Sequence, residues 1–230
     1  IQTVTLTGGE PMLHPRFMDI VRECEKRRLN IAEINTNGSF ITEEMLDEFH
    51  ALGMDVLIKI SYDGIGHHDW LRNRPGAEEK AVRAIRLCKE KGFRVRVQTN
   101  VHRGNLDVMY DTVVEMDRLG VEEIRIIRTS ETPRWKENGG DQCLEITEYY
   151  ETMLQLMERL VKEDFRIRVD IWQFALFNPK TGIYHYQPVQ GQCGKYRDST
   201  PVCKGARGTI AVAHTGELAP CNQLSGTFAK

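Results

Sequence analysis

Short β-branched segments alternate with amphipathic segments along this chain, and that alternation limits the folds open to it. The β-branched segments predict strands at residues 3–7, 31–36, 56–61, 94–100 and 123–128. The amphipathic segments predict helices at residues 15–28, 42–52, 77–91, 106–119 and 146–163. A strand-helix unit that recurs about every 30 residues builds a parallel sheet, as a closed or partial barrel or as an open doubly wound sheet.

The alternation ends near residue 172. Residues 178–198 are rich in Gly, Pro, Tyr and Gln and show little periodicity. Residues 208–213 and 217–220 predict a small hairpin that turns at Thr215-Gly216. We therefore predict an α/β domain at residues 1–171 and a second, smaller domain at residues 172–230.

The charge balance disfavours a polyanionic partner. The chain has 31 Lys and Arg against 33 Asp and Glu, a formal net charge of -2, so a nucleic acid partner is not expected. No segment approaches the roughly 20 apolar residues of a membrane span, and the first residues lack the features of a signal peptide. We expect a soluble, cytoplasmic protein without a membrane partner.

The sequence Gly8-Gly9-Glu10-Pro11 follows the first predicted strand directly. Two glycines allow a tight turn and a close approach of the backbone to a ligand, and a neighbouring carboxylate can bind an ammonium group. The alternative is a strand-helix turn without a ligand, in which Pro11 begins the helix. These four residues alone leave both interpretations open.

Polar residues also follow the next three predicted strands. They are Asn35-Thr36-Asn37-Gly38, Ser61-Tyr62-Asp63-Gly64 and Gln98-Thr99-Asn100. Each group by itself has an ordinary explanation as a turn. Together they favour a ligand site, because parallel α/β folds place their chemistry at the carboxyl ends of strands.

These motifs resemble those of radical S-adenosylmethionine (SAM) enzymes. Residues 8–11 are similar to the family's GGEP motif, and Ser61-Tyr62-Asp63-Gly64 is similar to its S-x-D-G strand end, in the same order and spacing. The resemblance implies a partial (β/α)6 TIM-like barrel in which residues 3–7 form the second strand. It also implies that SAM is a cofactor.

The resemblance further assigns roles to single residues. Gly8, Gly9, Glu10 and Pro11 are expected to hold the amino acid end of SAM, and Ser61 and Asp63 to lie near its ribose. Asn37, Asn100 and Arg128 are expected as further contacts, with Asn100 and Arg128 directed at the adenosine and the carboxylate.

One family motif is not found in the chain. The C-x3-C-x2-C loop that binds the catalytic 4Fe-4S cluster lies upstream of GGEP in the family, and no cysteine precedes Gly8. Cys24 and Cys88 lie in amphipathic helical segments and are expected to be small buried hydrophobes. We therefore expect the first strand and the cluster loop to lie upstream of Ile1, and this chain alone not to cleave SAM.

The C-terminal cysteines resemble a second iron-sulfur motif. The spacing Cys203-x12-Gly216-x4-Cys221 fits the opening of SPASM domains, which carry auxiliary clusters, and Cys193 is a further candidate ligand. The resemblance implies that residues 172–230 begin such a domain and that its later cysteines lie beyond Lys230. Two alternatives are a structural zinc site that includes His214 and three unrelated thiols.

The resemblance implies a radical SAM/SPASM oxidoreductase. In such enzymes a cluster reduced by a donor such as flavodoxin or ferredoxin cleaves SAM, and the 5'-deoxyadenosyl radical abstracts hydrogen from the substrate. SPASM members mostly modify peptides or proteins, by crosslinking or side-chain oxidation, so a peptide is the leading expectation. Asn222 stands where the sulfatase-maturing branch has an Asp base, which disfavours formylglycine formation. A small-molecule dehydrogenation or rearrangement remains open.

Two rival functions remain. One is a non-catalytic barrel that uses a zinc-stabilised end as a binding module. The other is a TIM-barrel lyase without SAM, in which Glu10 or Asp63 acts as a base and Lys59 is a poor catalytic lysine.

Two further groups of polar residues have ordinary explanations. We expect His67-His68-Asp69 to be a solvent-exposed loop rather than a metal site. Four residues, Asp170, Trp172, Tyr184 and Tyr186, are expected either to line a substrate channel or to pack between domains.

Overall fold

The computed structural model describes residues 3–129, 135, 140–172 and 210–219, and the backbone of 175–178 and 183–186. The chain divides into two compact units, Ile1–Gln187 and Pro188–Lys230. The domain boundary predicted near residue 172 stays a prediction.

The first unit is built on one sheet whose strands follow one another in chain order. Six strands are parallel: β1 (Thr3–Leu6), β2 (Asn30–Thr36), β3 (Leu57–Ser61), β4 (Arg94–Val101), β5 (Glu123–Arg128) and β6 (Arg168–Ile171). Two antiparallel strands extend it, β7 (Ala175–Asn178) and β8 (Ile183–Tyr186). The predicted α/β class with a partial TIM-like barrel is confirmed.

Six α-helices are described. They are α1 (Phe17–Lys26), α2 (Glu43–Ala51), α3 (His68–Arg72), α4 (Ala77–Glu90), α5 (Met109–Arg118) and α6 (Ile146–Leu160). The five predicted helices are found, and α2 begins as its sequence indicates, since the Thr42 hydroxyl accepts a hydrogen bond from the Met45 amide at 3.3 Å. None of the helices in the described part of the chain is long and apolar enough to cross a membrane.

Four elements were not predicted. The single-turn helix α3 lies in a segment expected to be a loop. Strand β6 has only four residues, two of them charged, which is too short for a clear period of two. Strands β7 and β8 lie in the segment without periodicity, and their pairing depends on the neighbouring strand β6.

The sheet has one apolar face and one polar face. In β4 the burial of successive residues alternates strictly: the three valines and Thr99 are fully buried on one face, and the arginines, Gln98 and Asn100 lie on the other. The apolar outer face packs under the helices, where Ile34, Ile58 and Ile126 are also fully buried. Each such side chain contributes about 1.5–3 kcal/mol of transfer free energy. The inner face carries polar and charged residues, unlike most parallel sheets.

In the second unit, β9 (Ala211–Val212) and β10 (Leu218–Ala219) pair antiparallel. The Gly216 amide donates to the Ala213 carbonyl at 2.9 Å, and Gly216 has a φ of 84°. The hairpin predicted at Thr215-Gly216 is therefore confirmed.

Gly38 provides a test of how tightly the loop after β2 packs on α4. Gly38 has a φ of 79°, and a Cβ there would lie 2.9 Å from the Ala84 Cβ. We expect Gly38→Ala to lower the free energy of unfolding by about 2–5 kcal/mol, because backbone strain adds to overpacking. Urea denaturation measures this loss.

The matched control is Gly53→Ala. Gly53 has a φ of 69°, and its added Cβ would meet no atom within 4 Å. Only the backbone cost of about 1–2 kcal/mol is expected. Equal losses in the two variants would show that the contact with Ala84 does not limit this loop.

Candidate functional site

The Gly8 to Pro11 turn leaves open space above its backbone. Gly8 has a φ of 149°, and a Cβ at Gly8 or Gly9 would meet no atom of the described residues within 4 Å. Glu10 caps a short 3-10 helix (Pro11–Leu13), with Oε1 accepting from the Met12 amide at 3.2 Å. The turn therefore begins a short helix, as the ligand-free interpretation expects, and it also leaves its glycine backbone accessible to a ligand.

The Glu10 carboxylate joins this turn to the end of β2. Its Oε1 accepts from the Thr36 hydroxyl at 2.8 Å and its Oε2 from the Asn37 amide at 2.7 Å. With the Met12 amide, these bonds use three of the roughly four acceptor positions of a carboxylate. The remaining position lies on Oε2 and suits an ammonium donor.

Asp63 lies at the centre of the second predicted motif, and it is fully buried. Its Oδ1 accepts from the backbone amide of Asn100 at 2.9 Å and from the Asn100 side chain at 3.1 Å. Its Oδ2 accepts from Arg72 Nε at 2.8 Å and lies 3.0 Å from His68 Nδ1. The structure thus brings Asp63 and Asn100 together.

The donors around Asp63 keep it ionised. Burial by itself raises the pKa of this carboxyl, but the hydrogen bond with His68, the charge of Arg72 and the Asn100 amide lower the pKa below its usual value. The Asn105 side chain also donates to the carbonyls of Asp63 and Asn100, at 2.7 and 3.0 Å. Asp63 therefore fixes the ends of β3 and β4, and its place near a ribose stays a prediction.

The expectation that His67-His68-Asp69 is a solvent-exposed loop is wrong. His68 is 1% exposed and stacks on Tyr62 with ring centroids 5.5 Å apart. Asp69 accepts from the backbone amides of Gly76 and Glu78, at 2.6 and 2.7 Å. The reason is that α3 folds back over the end of β3, which places His68 and Arg72, four residues apart, on one helix face.

A row of polar side chains crosses the inner face at the level of Ser61. The strand register places Ser61 beside Gln98, Gln98 beside Arg125, and Arg125 beside Asp170. Arg125 was not among the site residues predicted from the sequence, although the alternation Glu-Ile-Arg-Ile after residue 122 could have indicated it. Ser61, one of the predicted SAM residues, belongs to this row.

Arg128 lies on the other face of β5. It alternates with Ile124 and Ile126, and its Nη1 donates to the Leu144 carbonyl at 2.7 Å. Its predicted contact with SAM stays a prediction.

The described cysteines do not form a ligand set. Cys88 and Cys143 are buried and Cys24 is half-buried. Burial raises the pKa of Cys24, and it raises that of Cys88 to about 12. The expectation of a small buried hydrophobe is confirmed for Cys88, whereas Cys24 is only half-buried. Among the described residues, no three His, Cys, Asp or Glu side chains come together as metal ligands.

The iron-sulfur predictions therefore concern other parts of the protein. Cys193, Cys203 and Cys221 lie outside the described residues, and so do Asn222 and the side chains of Tyr184 and Tyr186. The described residues do not fit a 4Fe-4S cluster, whereas the Glu10 turn fits the amino acid end of SAM.

Asp63→Asn tests the buried network. We expect the free energy of unfolding to fall by about 3 kcal/mol at pH 7, because Arg72 loses its buried charged partner. Since the pKa of Asp63 is lowered on folding, its stabilisation is present above the ordinary carboxyl pKa of about 4 and is lost as the pH falls below it.

The difference between wild type and Asp63→Asn should therefore shrink between pH 7 and pH 3, as followed by urea denaturation. The control is Asp19→Asn, because Asp19 forms only exposed pairs with Arg16 and Arg22 and is expected to change stability by less than about 1 kcal/mol. A difference that does not depend on pH would contradict the ionised state of Asp63.

Sequence comparisons give relatives for almost the whole chain. The AdoMet-dependent heme synthases of Methanosarcina barkeri and Nitratidesulfovibrio vulgaris are each 26% identical, over 95% and 96% of this chain. The chain covers 62% and 60% of their lengths, so it spans less than two thirds of these relatives.

A structural comparison agrees on the fold. The structure of Streptococcus suis SuiB bound to S-adenosylmethionine matches with a TM-score of 0.72 and 12% identity, covering 99% of this chain and 50% of SuiB. The family model described as the radical SAM superfamily matches residues 1–119. Because this match covers more than half of the 230 residues and includes both predicted motifs, the chain belongs to the radical SAM superfamily.

Proposed function

We propose that the full-length protein binds SAM at the carboxyl ends of β1 to β4 and uses it to abstract hydrogen from a substrate. The observation that carries this proposal is the Glu10 turn. Its carboxylate is held by Thr36 and Asn37 with one acceptor position left on Oε2, and the backbone beside it is open at Gly8 and Gly9.

The chain's own residues bind and orient SAM in this proposal. The SAM ammonium donates to Glu10 Oε2, and Gly8, Gly9 and Pro11 shape the turn around the amino acid end. Ser61 faces the ribose from the inner side of β3. The buried Asp63 holds Asn100 in place, so that the Asn100 side chain contacts the adenosine while Asp63 itself stays covered.

Iron-sulfur chemistry enters through parts of the protein outside the described residues. The catalytic 4Fe-4S cluster supplies the electron that cleaves SAM, and none of the described residues is proposed to bind it. Cys193, Cys203 and Cys221 are proposed to bind part of an auxiliary SPASM-type cluster. The electron donor is a flavodoxin or ferredoxin.

For the substrate we propose a small molecule of the tetrapyrrole class. The support is that the heme synthase relatives align along the whole α/β domain and the segment that follows it. The polar inner face also suits a ligand with charged groups. Peptide modification, the leading expectation from the sequence, remains the second candidate, and the likeness to SuiB supports only the shared fold.

Purified full-length protein tests the proposed reaction. After anaerobic reconstitution, iron and sulfide are determined, and SAM is added with a strong reductant. Several irons per chain and release of 5'-deoxyadenosine are expected. Zinc in place of iron, with SAM left intact, would contradict the proposal and favour a binding module.

Glu10→Gln tests the SAM site directly. We expect SAM affinity, measured by calorimetry, to fall about 10- to 100-fold, because a charge-assisted hydrogen bond to the ammonium is lost. Affinity for 5'-methylthioadenosine, which lacks the amino acid end, should not change.

The control is Glu25→Gln, since Glu25 is exposed on α1. An equal loss of affinity for both ligands would mean that Glu10 shapes the turn without contacting the SAM ammonium.

A further inference from the structure

An ion network covers the inner face below the row of Ser61. Lys59 lies 3.3 Å from Glu33, Arg96 lies 2.9 Å from Glu33 and 2.5 Å from Glu123, and Arg168 lies 3.1 Å from Glu123. Strands β2 to β6 thus each contribute a charged side chain, and the network includes Arg125 and Asp170 in the adjoining row of Ser61. An apolar barrel core would need none of them.

Cations exceed anions in this network. The cations are Lys59, Arg96, Arg125 and Arg168, and the anions are Glu33, Glu123 and Asp170. The excess of positive charge affects Lys59. Burial and the charges of Arg125 and Arg96 lower the pKa of Lys59, while Glu33 opposes this shift. A ligand with one negative charge would bring the net charge of this network to zero.

Arg125 is the cation of this network whose guanidinium has hydrogen-bond donors left for a ligand. Its Nε donates to Asp170 at 2.5 Å, and its guanidinium lies 4.6 Å from the centroid of the Trp172 ring. Its Nη2 is 3.9 Å from Glu123 Oε1, beyond hydrogen-bonding distance. Among the described residues, the Nη groups of Arg125 donate no hydrogen bond, although its side chain is only 20% exposed.

The position of Arg125 connects this cation to the proposed reaction. Arg125 lies in the same row as Ser61 and Gln98, two strands away from the residue proposed to face the SAM ribose. Adjacent strands are about 4.8 Å apart, so about 10 Å of the inner face separates them. A substrate of ordinary size can therefore reach Arg125 with one end and the SAM site with the other.

We propose that Arg125, positioned by Asp170 and stacked on Trp172, binds a carboxylate of the substrate through its Nη groups. A guanidinium presents two parallel N–H donors to a carboxylate. The bond to Asp170 and the contact with the Trp172 ring restrain the guanidinium of Arg125. This inference rests on the proposed function, because it gives the proposed small molecule an anionic group. It makes Arg125 a specificity-determining residue.

The experiment uses the full-length protein and coproporphyrin III as an anionic probe, with the uncharged tetramethyl ester as its partner probe. Binding is measured by fluorescence quenching with wild type, Arg125→Gln and Arg94→Gln. Arg94 is the matched control because it lies on the neighbouring strand β4 and pairs with Asp55 at the surface. SAM affinity and 5'-deoxyadenosine formation without substrate are measured on the same preparations.

We expect Arg125→Gln to weaken binding of coproporphyrin III about 10- to 100-fold and to leave binding of the ester, SAM affinity and SAM cleavage unchanged. Arg94→Gln should bind every ligand as wild type does. If Arg125→Gln lowers the melting temperature because Asp170 loses its ion pair with Arg125, Arg125→Gln/Asp170→Asn removes both charges and should still lose the carboxylate probe.

The inference is wrong if wild type binds neither probe, or if it binds the ester more tightly than coproporphyrin III. It is also wrong if Arg125→Gln binds coproporphyrin III with wild-type affinity. Failure of the proposed function has a different signature. It is the absence of 5'-deoxyadenosine from reconstituted wild type, which the porphyrin titration does not measure.

Discussion

The buried carboxylate of Asp63 is the interaction on which the arrangement of the site depends. It binds the backbone of β4 through Asn100 and the helix α3 through His68 and Arg72. An ionised carboxylate in a buried position is stable only because each oxygen is matched by donors or positive charge. That requirement fixes the ends of β3 and β4 relative to each other, so the strand ends can present side chains at constant distances.

Glu10 also connects separate segments of the site, but it is less buried than Asp63. Its carboxylate ties the Gly8 to Pro11 turn to Thr36 and Asn37. It remains only partly buried, and one acceptor position on Oε2 stays open. Asp63 and Glu10 therefore have different roles. Asp63 fixes the strand ends, and Glu10 is still able to bind a cation.

The polar inner face distinguishes this sheet from a barrel filled with aliphatic side chains. Charged residues on β2 to β6 would destabilise a closed core, because buried ions need partners or water. Here they pair with one another across strands, while the row of Ser61 and Arg125 remains next to the proposed SAM site. The fully buried valines and isoleucines of the described strands β2 to β5 thus pack on the helix side, and the inner side carries the charged and polar side chains.

The sequence by itself determined the alternation of strands and helices, the hairpin at Gly216 and the two motifs, because period, turn residues and spacing are local properties. It did not predict β6, β7 and β8, whose short segments become strands by pairing with a neighbour already in place. From the sequence, His68 was predicted to be exposed to solvent, because two adjacent histidines do not indicate which residues will pack against them. Tertiary structure decided three features: His68 is buried, Arg125 points inward and Arg128 points outward. His68 is buried because α3 folds back over β3. The strand register fixes which residues lie beside Arg125 and Arg128.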